Sequence, residues 1–234
     1  MNTQYKVLKY KSDQTKIVKD FVSIEEPLQI SLKYKDKKEW KTDIISITMR
    51  TPGHDEDLVR GFLFNEQIIT NIKQIDSIKS FGDKVGKYNI QNKILAKLNN
   101  SNNVQITKIK RDFLTNSSCG VCGKSSLDTL DIIKPEKTYL NKPKLKKEVI
   151  IQAPDLLRAS QSEFSKTGGI HASGLFSSNG KLLALREDVG RHNALDKLIG
   201  NILKKKLLNP STQFITCSGR LNFELVQKVL MTNI

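Results

Sequence analysis

Residues 172 to 199 decide the fold: Ala172-Ser-Gly-Leu-Phe-Ser-Ser-Asn-Gly-Lys-Leu-Leu-Ala-Leu-Arg-Glu-Asp-Val-Gly-Arg-His-Asn-Ala-Leu-Asp-Lys-Leu-Ile199. Ser178-Asn179-Gly180 is a tight-turn signal between two apolar runs, so Ala172–Ser177 and Lys181–Arg186 are expected to pair as a hairpin. Asp188-Val-Gly-Arg-His-Asn193 then leads into a helix with Leu195, Leu198, Ile199 and Ile202 on one side. Downstream, Gln213–Cys217 reads as a strand, and Ser218-Gly219-Arg220 turns it into a last helix. Upstream, Pro154 is expected to open a helix carrying Leu156, Leu157 and Phe164, which Thr167-Gly168-Gly169 ends. Strands alternating with helices imply an α/β layer.

The first half reads as β-rich. Lys16–Ser23, Pro27–Tyr34 and the β-branched run Ile44–Met49 are strand candidates, and Thr51-Pro52-Gly53 breaks the last of them. One helix follows, with Asp55, Glu56 and Asp57 in its first turn, where the helix dipole favours acids. Its apolar stripe is Leu58, Phe62 and Ile69 with Leu63. His54 reads as a surface residue at that helix start. Residues 72–110 look like short strands joined by polar turns, at Phe81-Gly82-Asp83 and Asn99-Asn100-Ser101-Asn102-Asn103. The fold class expected is mixed α/β and α+β. Residues 1–133 form the β-rich region with its helix and a Cys-x-x-Cys loop, 134–148 a lysine- and proline-containing linker, and 149–234 the α/β region.

Composition narrows the function. The chain has 234 residues, 38% of them apolar, and a formal net charge of +15. No apolar run approaches the roughly 18 residues of a membrane span, and the N-terminus lacks the apolar core of a secretory signal, so a cytoplasmic location is expected. The three cysteines do not suit a disulfide framework. The densest basic run, Lys204-Lys205-Lys206, is too short to define a nucleic-acid patch. RNA-recognition and zinc-finger patterns are missing, and neither a nucleic acid nor a membrane is expected as partner. The charge suits either a solvated lysine-rich surface or an anionic ligand.

The sharpest chemical feature is Ser118-Cys119-Gly120-Val121-Cys122-Gly123-Lys124. A glycine after each sulfur lets backbone N–H groups approach it, and Lys124 adds a cation; both favour the reactive thiolate. Such a thiolate can take sulfur from a donor persulfide, and a second cysteine three residues on can relay or release it by thiol exchange. A structural zinc site and an idle surface pair are the other readings of the same residues. Zinc needs more ligands, and only Cys217, His54, His171 and His192 remain among soft donors. Zinc deamination is argued against, because Ser173 stands where the His-x-Glu acid would be and Ser118 where the proline would be.

Two further segments are candidate ligand sites. Arg186-Glu-Asp188-Val-Gly190-Arg191-His192-Asn193 joins a strand to a helix, and helix N-termini attract phosphates. Plain structural roles are equally open: Asp188 or Asn193 capping the helix, Arg186 pairing with an acid. Ser218-Gly219-Arg220 repeats the strand-to-helix geometry. Two such turns at strand ends would form one crevice, the usual ligand position in open α/β sheets. Thr167-Gly168-Gly169-Ile170-His171 would bring bare backbone near a ligand, although Gly-Gly is more often only a helix stop.

Taken in order, these segments resemble the formate dehydrogenase accessory sulfurtransferase family (FdhD/NarQ). The resemblance rests on Thr51–Leu58 with Gly61-Phe62-Leu63, Ser118–Gly123, Thr167–Ala172, Arg186–Lys197, Ser218–Arg220 and Phe223–Gln227, over about residues 20 to 230. It implies a protein that takes persulfide sulfur from a cysteine desulfurase on Cys119, with Cys122 as its loop partner. The sulfur passes to the molybdenum or tungsten bis(guanine dinucleotide) cofactor that formate dehydrogenase needs. The cofactor is then the cargo, no cofactor is tightly bound and no metal ligands are assigned. Gly168, Gly169, His171, Arg186, Arg191, His192, Ser218 and Arg220 map to cofactor contacts. The resemblance also implies a cytidine-deaminase-like fold in the second half, a homodimer, and formate dehydrogenase as the enzyme served. Family members continue past the last helix with further strands and a cofactor-contacting segment, so the second half is expected to be incomplete at Ile234. A cofactor-binding chaperone without sulfur chemistry and a zinc-stabilised binding module are the alternatives.

Overall fold

The computed structural model describes residues 1–11, 14–99 and 143–234. An antiparallel ribbon of β1 (Asn2–Lys11) and β2 (Gln14–Ser23) opens the chain. A four-stranded sheet follows, in the order β4 (Glu39–Arg50), β3 (Glu26–Asp36), β6 (Ile90–Leu98), β5 (Ile75–Val85). Two hairpins, β3–β4 and β5–β6, join through a parallel pairing of β3 with β6. In β3 the alternation of two-residue period puts Leu28, Ile30, Leu32 and Tyr34 in the core. Helix α1 (Asp55–Asn65) covers that face with Leu58, Val59 and Leu63.

The second sheet has three strands, β8 (Leu182–Asp188), β7 (His171–Ser177) and β9 (Gln213–Cys217), with β7 in the middle and antiparallel to both neighbours. On one face, α2 (Lys147–Ser160) packs Leu157 against Ala172 and Phe176. On the other, α4 (Arg191–Lys204) packs Leu198 and Ile202 against Leu175. The short α3 (Ser162–Thr167) leads into β7, and α5 (Phe223–Leu230) follows β9. The mixed α/β and α+β class expected from the sequence is the class found.

Helices α1 and α4 tie the two sheets together. A Cβ placed on Gly61 would lie 1.9 Å from the Asp196 carbonyl oxygen, and one on Gly200 would lie 1.9 Å from that of Asp57. The two backbones are therefore in contact where they cross. Every residue of α4 from Asn193 to Ile202 is buried, because one face meets the second sheet and the other meets α1.

Several local expectations change. Pro154 does not open its helix; it lies inside α2, which starts at Lys147 within the expected linker. Proline removes one ladder hydrogen bond and crowds the carbonyl four residues back. The helix passes through it because Ala153 and Leu157, on either side, are both buried. The helix expected to run from Pro154 to Thr167 is two helices, α2 and α3, broken at Gln161. Phe81-Gly82-Asp83 is no turn but part of β5. The register shifts between Phe81 and Lys84 as a bulge with Gly82 at φ 77°, and Gly86 and Asn89, both at positive φ, flank the real turn. Ile69 lies past the end of α1, yet it is fully buried in the first core. The Ser178-Asn179-Gly180 hairpin and the helix stop at Gly168, with φ 70°, are as expected.

Replacing Gly200 by alanine forces the helices apart and is expected to cost ~3 kcal/mol, lowering Tm by about 6–12 °C for a chain of this size. Gly169→Ala, whose Cβ would meet only the Thr167 carbonyl oxygen at 4.0 Å, is the control that should leave Tm nearly unchanged. Calorimetry or thermal circular dichroism reads both.

Candidate functional site

Asp188, the last residue of β8, is fully buried and sits 2.6 Å from the buried Lys197 ammonium. Its carboxylate also accepts from the Gly190 N–H at 2.8 Å and the Thr51 N–H at 3.2 Å. Lys197 donates to the Thr51 carbonyl at 2.7 Å. Asn193 donates to the Met49 carbonyl, also at 2.7 Å. The first turn of α4 is thus pinned to the corner between β4 and α1. Gly190 is the N-cap and no side chain caps this helix, so neither Asp188 nor Asn193 does so.

The turn after β9 arrives beside it. Ser218 brackets Ala172: its N–H donates to the Ala172 carbonyl and its hydroxyl accepts from the Ala172 N–H, both at 2.9 Å. A Cβ on Gly219 would lie 3.3 Å from His171 Nδ1 and 3.6 Å from the Arg191 side chain. Asn222 caps α5 by accepting from the Leu225 N–H at 3.0 Å, and its amide lies 3.3 Å from His192 Nε2. Glu224 Oε2 lies 3.1 Å from the same nitrogen. The two strand-end turns meet at His171, but Ser218, Gly219 and Arg220 do not line the cleft that the first turn helps to form.

That cleft, of about 430 Å³, is lined by His171, Arg191, His192 and Glu224 on one side and by Ile47, Met49 and Phe62 on the other. Burial, then the nearby Lys228 cation, pulls the His192 pKa down to about 4, so its ring is neutral at neutral pH. Burial and the Arg191 cation hold His171 below its ordinary value as well. On the floor, burial works against the Lys228 charge, but Asp196, Glu66 and Glu224 outweigh it and keep the ammonium protonated. Its Nζ sits 3.1 Å from both oxygens of the buried Asp196. An uncapped helix start with an arginine and two imidazoles suits an anionic group, and the apolar wall suits a flat or aliphatic one.

Not every expected site residue gathers here. Arg186 instead forms an ion pair with the buried Asp57, at 2.8 Å, the acid partner the plain structural reading allowed. Gly168 and Gly169 end α3 in solvent, and Ser218 and Arg220 are exposed; none of these lines the cleft. Cys217 is half-buried beside Ser173, and burial raises its thiol pKa. His54 is exposed, with a left-handed φ of 57°. Among the described residues no group of His, Cys, Asp and Glu has the arrangement of a metal site. Cys119 and Cys122 lie outside the described residues. Glu66, Asn222, Glu224 and Lys228 were not singled out for the site. The spacing Asn222 to Leu225 is a readable cap signal; the role of Glu66 is not readable, since it reaches Lys228 only through the fold.

The model of the FdhD/NarQ family matches residues 24–234. A relative from Sulfolobus acidocaldarius, named sulfur carrier protein FdhD, is 37% identical over 229 residues, covering 98% of this chain and 80% of the relative. Proteins of the same name are 40% identical over 215 residues in Saccharolobus solfataricus (92% of this chain, 75% of the relative) and 37% identical over 231 residues in Streptomyces coelicolor (98% and 79%). The crystal structure of a protein described as a formate dehydrogenase accessory protein, from Desulfotalea psychrophila, superimposes with a TM-score of 0.69 at 23% identity. That match covers 99% of this chain and 81% of that one.

Lys197→Met should destabilise the fold by ~3–5 kcal/mol, because it leaves Asp188 charged, buried and unpaired; chemical denaturation measures it. His192 gives a pH signature. Its folded pKa of about 4 lies below the ordinary 6.5, so the unfolded chain takes the proton first. The stability is whole above pH 6.5 and is lost as pH falls from there towards about 4. His192→Gln is expected to flatten this part of the stability–pH curve.

Proposed function

From the premise that this chain belongs to the FdhD/NarQ family, we propose that it carries sulfur as a persulfide on Cys119 and delivers it to the molybdenum cofactor that formate dehydrogenase requires. The observation that carries the reading is the glycine-flanked pair Cys119-Gly-Val-Cys122-Gly123 in a chain so similar to named sulfur carriers.

The chemistry balances without an external oxidant. The Cys119 thiolate attacks the outer sulfur of a persulfide on a cysteine desulfurase. The donor's S–S bond breaks, the donor leaves as a thiolate, and a new S–S bond forms on Cys119. For release, the Cys122 thiolate attacks the Cys119 sulfur and expels hydrosulfide, which the cofactor takes up. The two thiols supply the two electrons and end as a disulfide, which a cellular dithiol reduces by exchange.

The cofactor is cargo in this scheme. Its phosphates would meet Arg191, His171, His192 and the first N–H groups of α4, and its flat rings the wall of Ile47, Met49 and Phe62. Ser218, Arg220, Gly168 and Gly169 would serve the approach to the cleft. Arg186 would act at one remove, by fixing Asp57 and with it the start of α1. The cleft's shape and charge support this, as does a net charge of +15 facing a polyphosphate ligand. The same reading has the protein working in the cytoplasm as a homodimer.

Incubation with a cysteine desulfurase and cysteine should raise the protein's mass by one sulfur atom, and Cys119→Ala should abolish the gain. In a strain lacking its own sulfur carrier, Cys119→Ala should fail to restore formate dehydrogenase activity. Full restoration by that variant, together with failure of Arg191→Ala, would instead assign the protein as a cofactor chaperone.

A further inference from the structure

Among the described residues, the ribbon of β1 and β2 is the least covered element. A lone two-stranded ribbon is marginal in water, and this one is held mainly at its base. Ile24 donates to the Met1 carbonyl, the Met1 amine pairs with Glu163 at 3.0 Å, and Ser23 bonds Thr167 at 3.0 Å. Tyr5 meets Lys87 and Tyr88 of the β5–β6 turn. Beyond that, among the described residues, no hydrogen bond or ion pair ties Leu8–Lys11 or Gln14–Ile17 to the rest.

Two features of the outer ribbon are unfavourable in the free protein. The register places Lys6 opposite Lys19 and Lys9 opposite Lys16, and like charges directly opposite destabilise a sheet. Leu8 and Ile17 pair on one face at 50% and 72% exposure, with Tyr10 at 72% on the same side and Phe21 further along it. The two strands carry five lysines against the single acid Asp20. Lys9 and Lys16 lie on the opposite face. On the face that Leu8, Ile17, Tyr10, Lys6 and Lys19 share, one kind of surface relieves both problems: an apolar centre to cover Leu8, Ile17 and Tyr10, rimmed by carboxylates for Lys6 and Lys19.

We propose that this face of the ribbon is the docking surface for the protein that supplies the sulfur, a cysteine desulfurase presenting such an acidic rim; the proposal rests on the sulfur-carrier reading. A second copy meeting this face with its own ribbon is disfavoured, because its lysines would stand against these lysines with only Asp20 to offset them. Nucleic acid is disfavoured because the centre of the face is aliphatic and all its cations are lysine, without the forked arginine that reads phosphates and bases. Size agrees. Strands of this length span about 33 Å, and a face two strands wide falls well short of the ~800 Å² per partner of a stable complex. A donor must leave after each transfer, and small, charge-steered contacts form and release quickly.

The test uses the full chain and measures the desulfurase concentration that half-saturates sulfur loading. Lys6→Glu/Lys19→Glu and, separately, Leu8→Ser/Ile17→Ser are expected to raise it about tenfold, and raising salt from about 50 to about 300 mM should raise the wild-type value too. Loading of the same variants from inorganic polysulfide should stay at the wild-type level, which shows that the cysteines and the fold are intact. Unchanged half-saturation in both variants overturns the docking surface and leaves the carrier reading standing. A wild-type chain that accepts sulfur from neither source overturns both. Variants that lose affinity for duplex DNA and keep their desulfurase response make nucleic acid the partner and overturn the proposal.

Discussion

The crossing of α1 and α4 is the contact on which the rest of the structure depends. Gly61 and Gly200 let the two backbones touch, each glycine lying against a carbonyl of the other helix. Any side chain at either position would separate the helices. The polar groups on both sides of the crossing would then lose their partners: Asp57 with Arg186 and Asn201, Asn65 with Asp196, and Thr51 with Lys197. Close approach and polar pairing are therefore a single constraint. The glycines set the distance, and at that distance the short side chains of Asp and Asn can reach across.

This constraint also makes the cleft. One wall belongs to β4 and α1, the other to the turn after β8 with α4 and α5, and the crossing, with the polar ties at Thr51 and Asn193, holds the walls face to face. The buried pairs fix details within it. Asp188 is pulled one way by burial, which raises its pKa, and the other by Lys197, which lowers it. Removing either partner leaves a charge in a place where water cannot reach it, a situation far costlier than the pair itself. The lysine on the floor, Lys228, is held by three carboxylates, and its charge helps to keep His192 neutral. A neutral ring beside Arg191 can donate or accept a hydrogen bond without repelling an anion or competing with the arginine for it.

The two proposed sites have opposite character. The cleft is assembled from distant segments and rich in opposed charges. The β1–β2 ribbon is local, exposed and of one charge, with its apolar residues turned outward. The first is suited to hold a bulky anionic molecule in one orientation, the second to a brief encounter with another protein.

Much of this was legible in the residues alone. Asn179-Gly180 set a hairpin, Thr51-Pro52-Gly53 a strand end, Gly168 a helix stop, and the alternation of strand and helix an α/β layer, because each depends on the torsions and side-chain period of a few neighbouring residues. The glycine-flanked Cys119 and Cys122 point to sulfur chemistry on equally local grounds, since reactivity of a thiol is set largely by its nearest groups, and both lie outside the described residues. Pro154 misled the local reading: burial of Ala153 and Leu157 outweighs a missing hydrogen bond, and burial is not a local property. The same holds for α4. Leu195, Leu198, Ile199 and Ile202 mark one apolar side, which implies a solvated opposite face. Yet Asn193, Asp196, Lys197, Gly200 and Asn201 recur there with the same helical period and are all buried. Only the tertiary structure decided that this polar face meets α1, that Arg186 serves Asp57, and that Glu66 and Lys228 floor a cleft. Charges and amides take their roles from partners more than a hundred residues away, and no period within a segment encodes where those partners will lie.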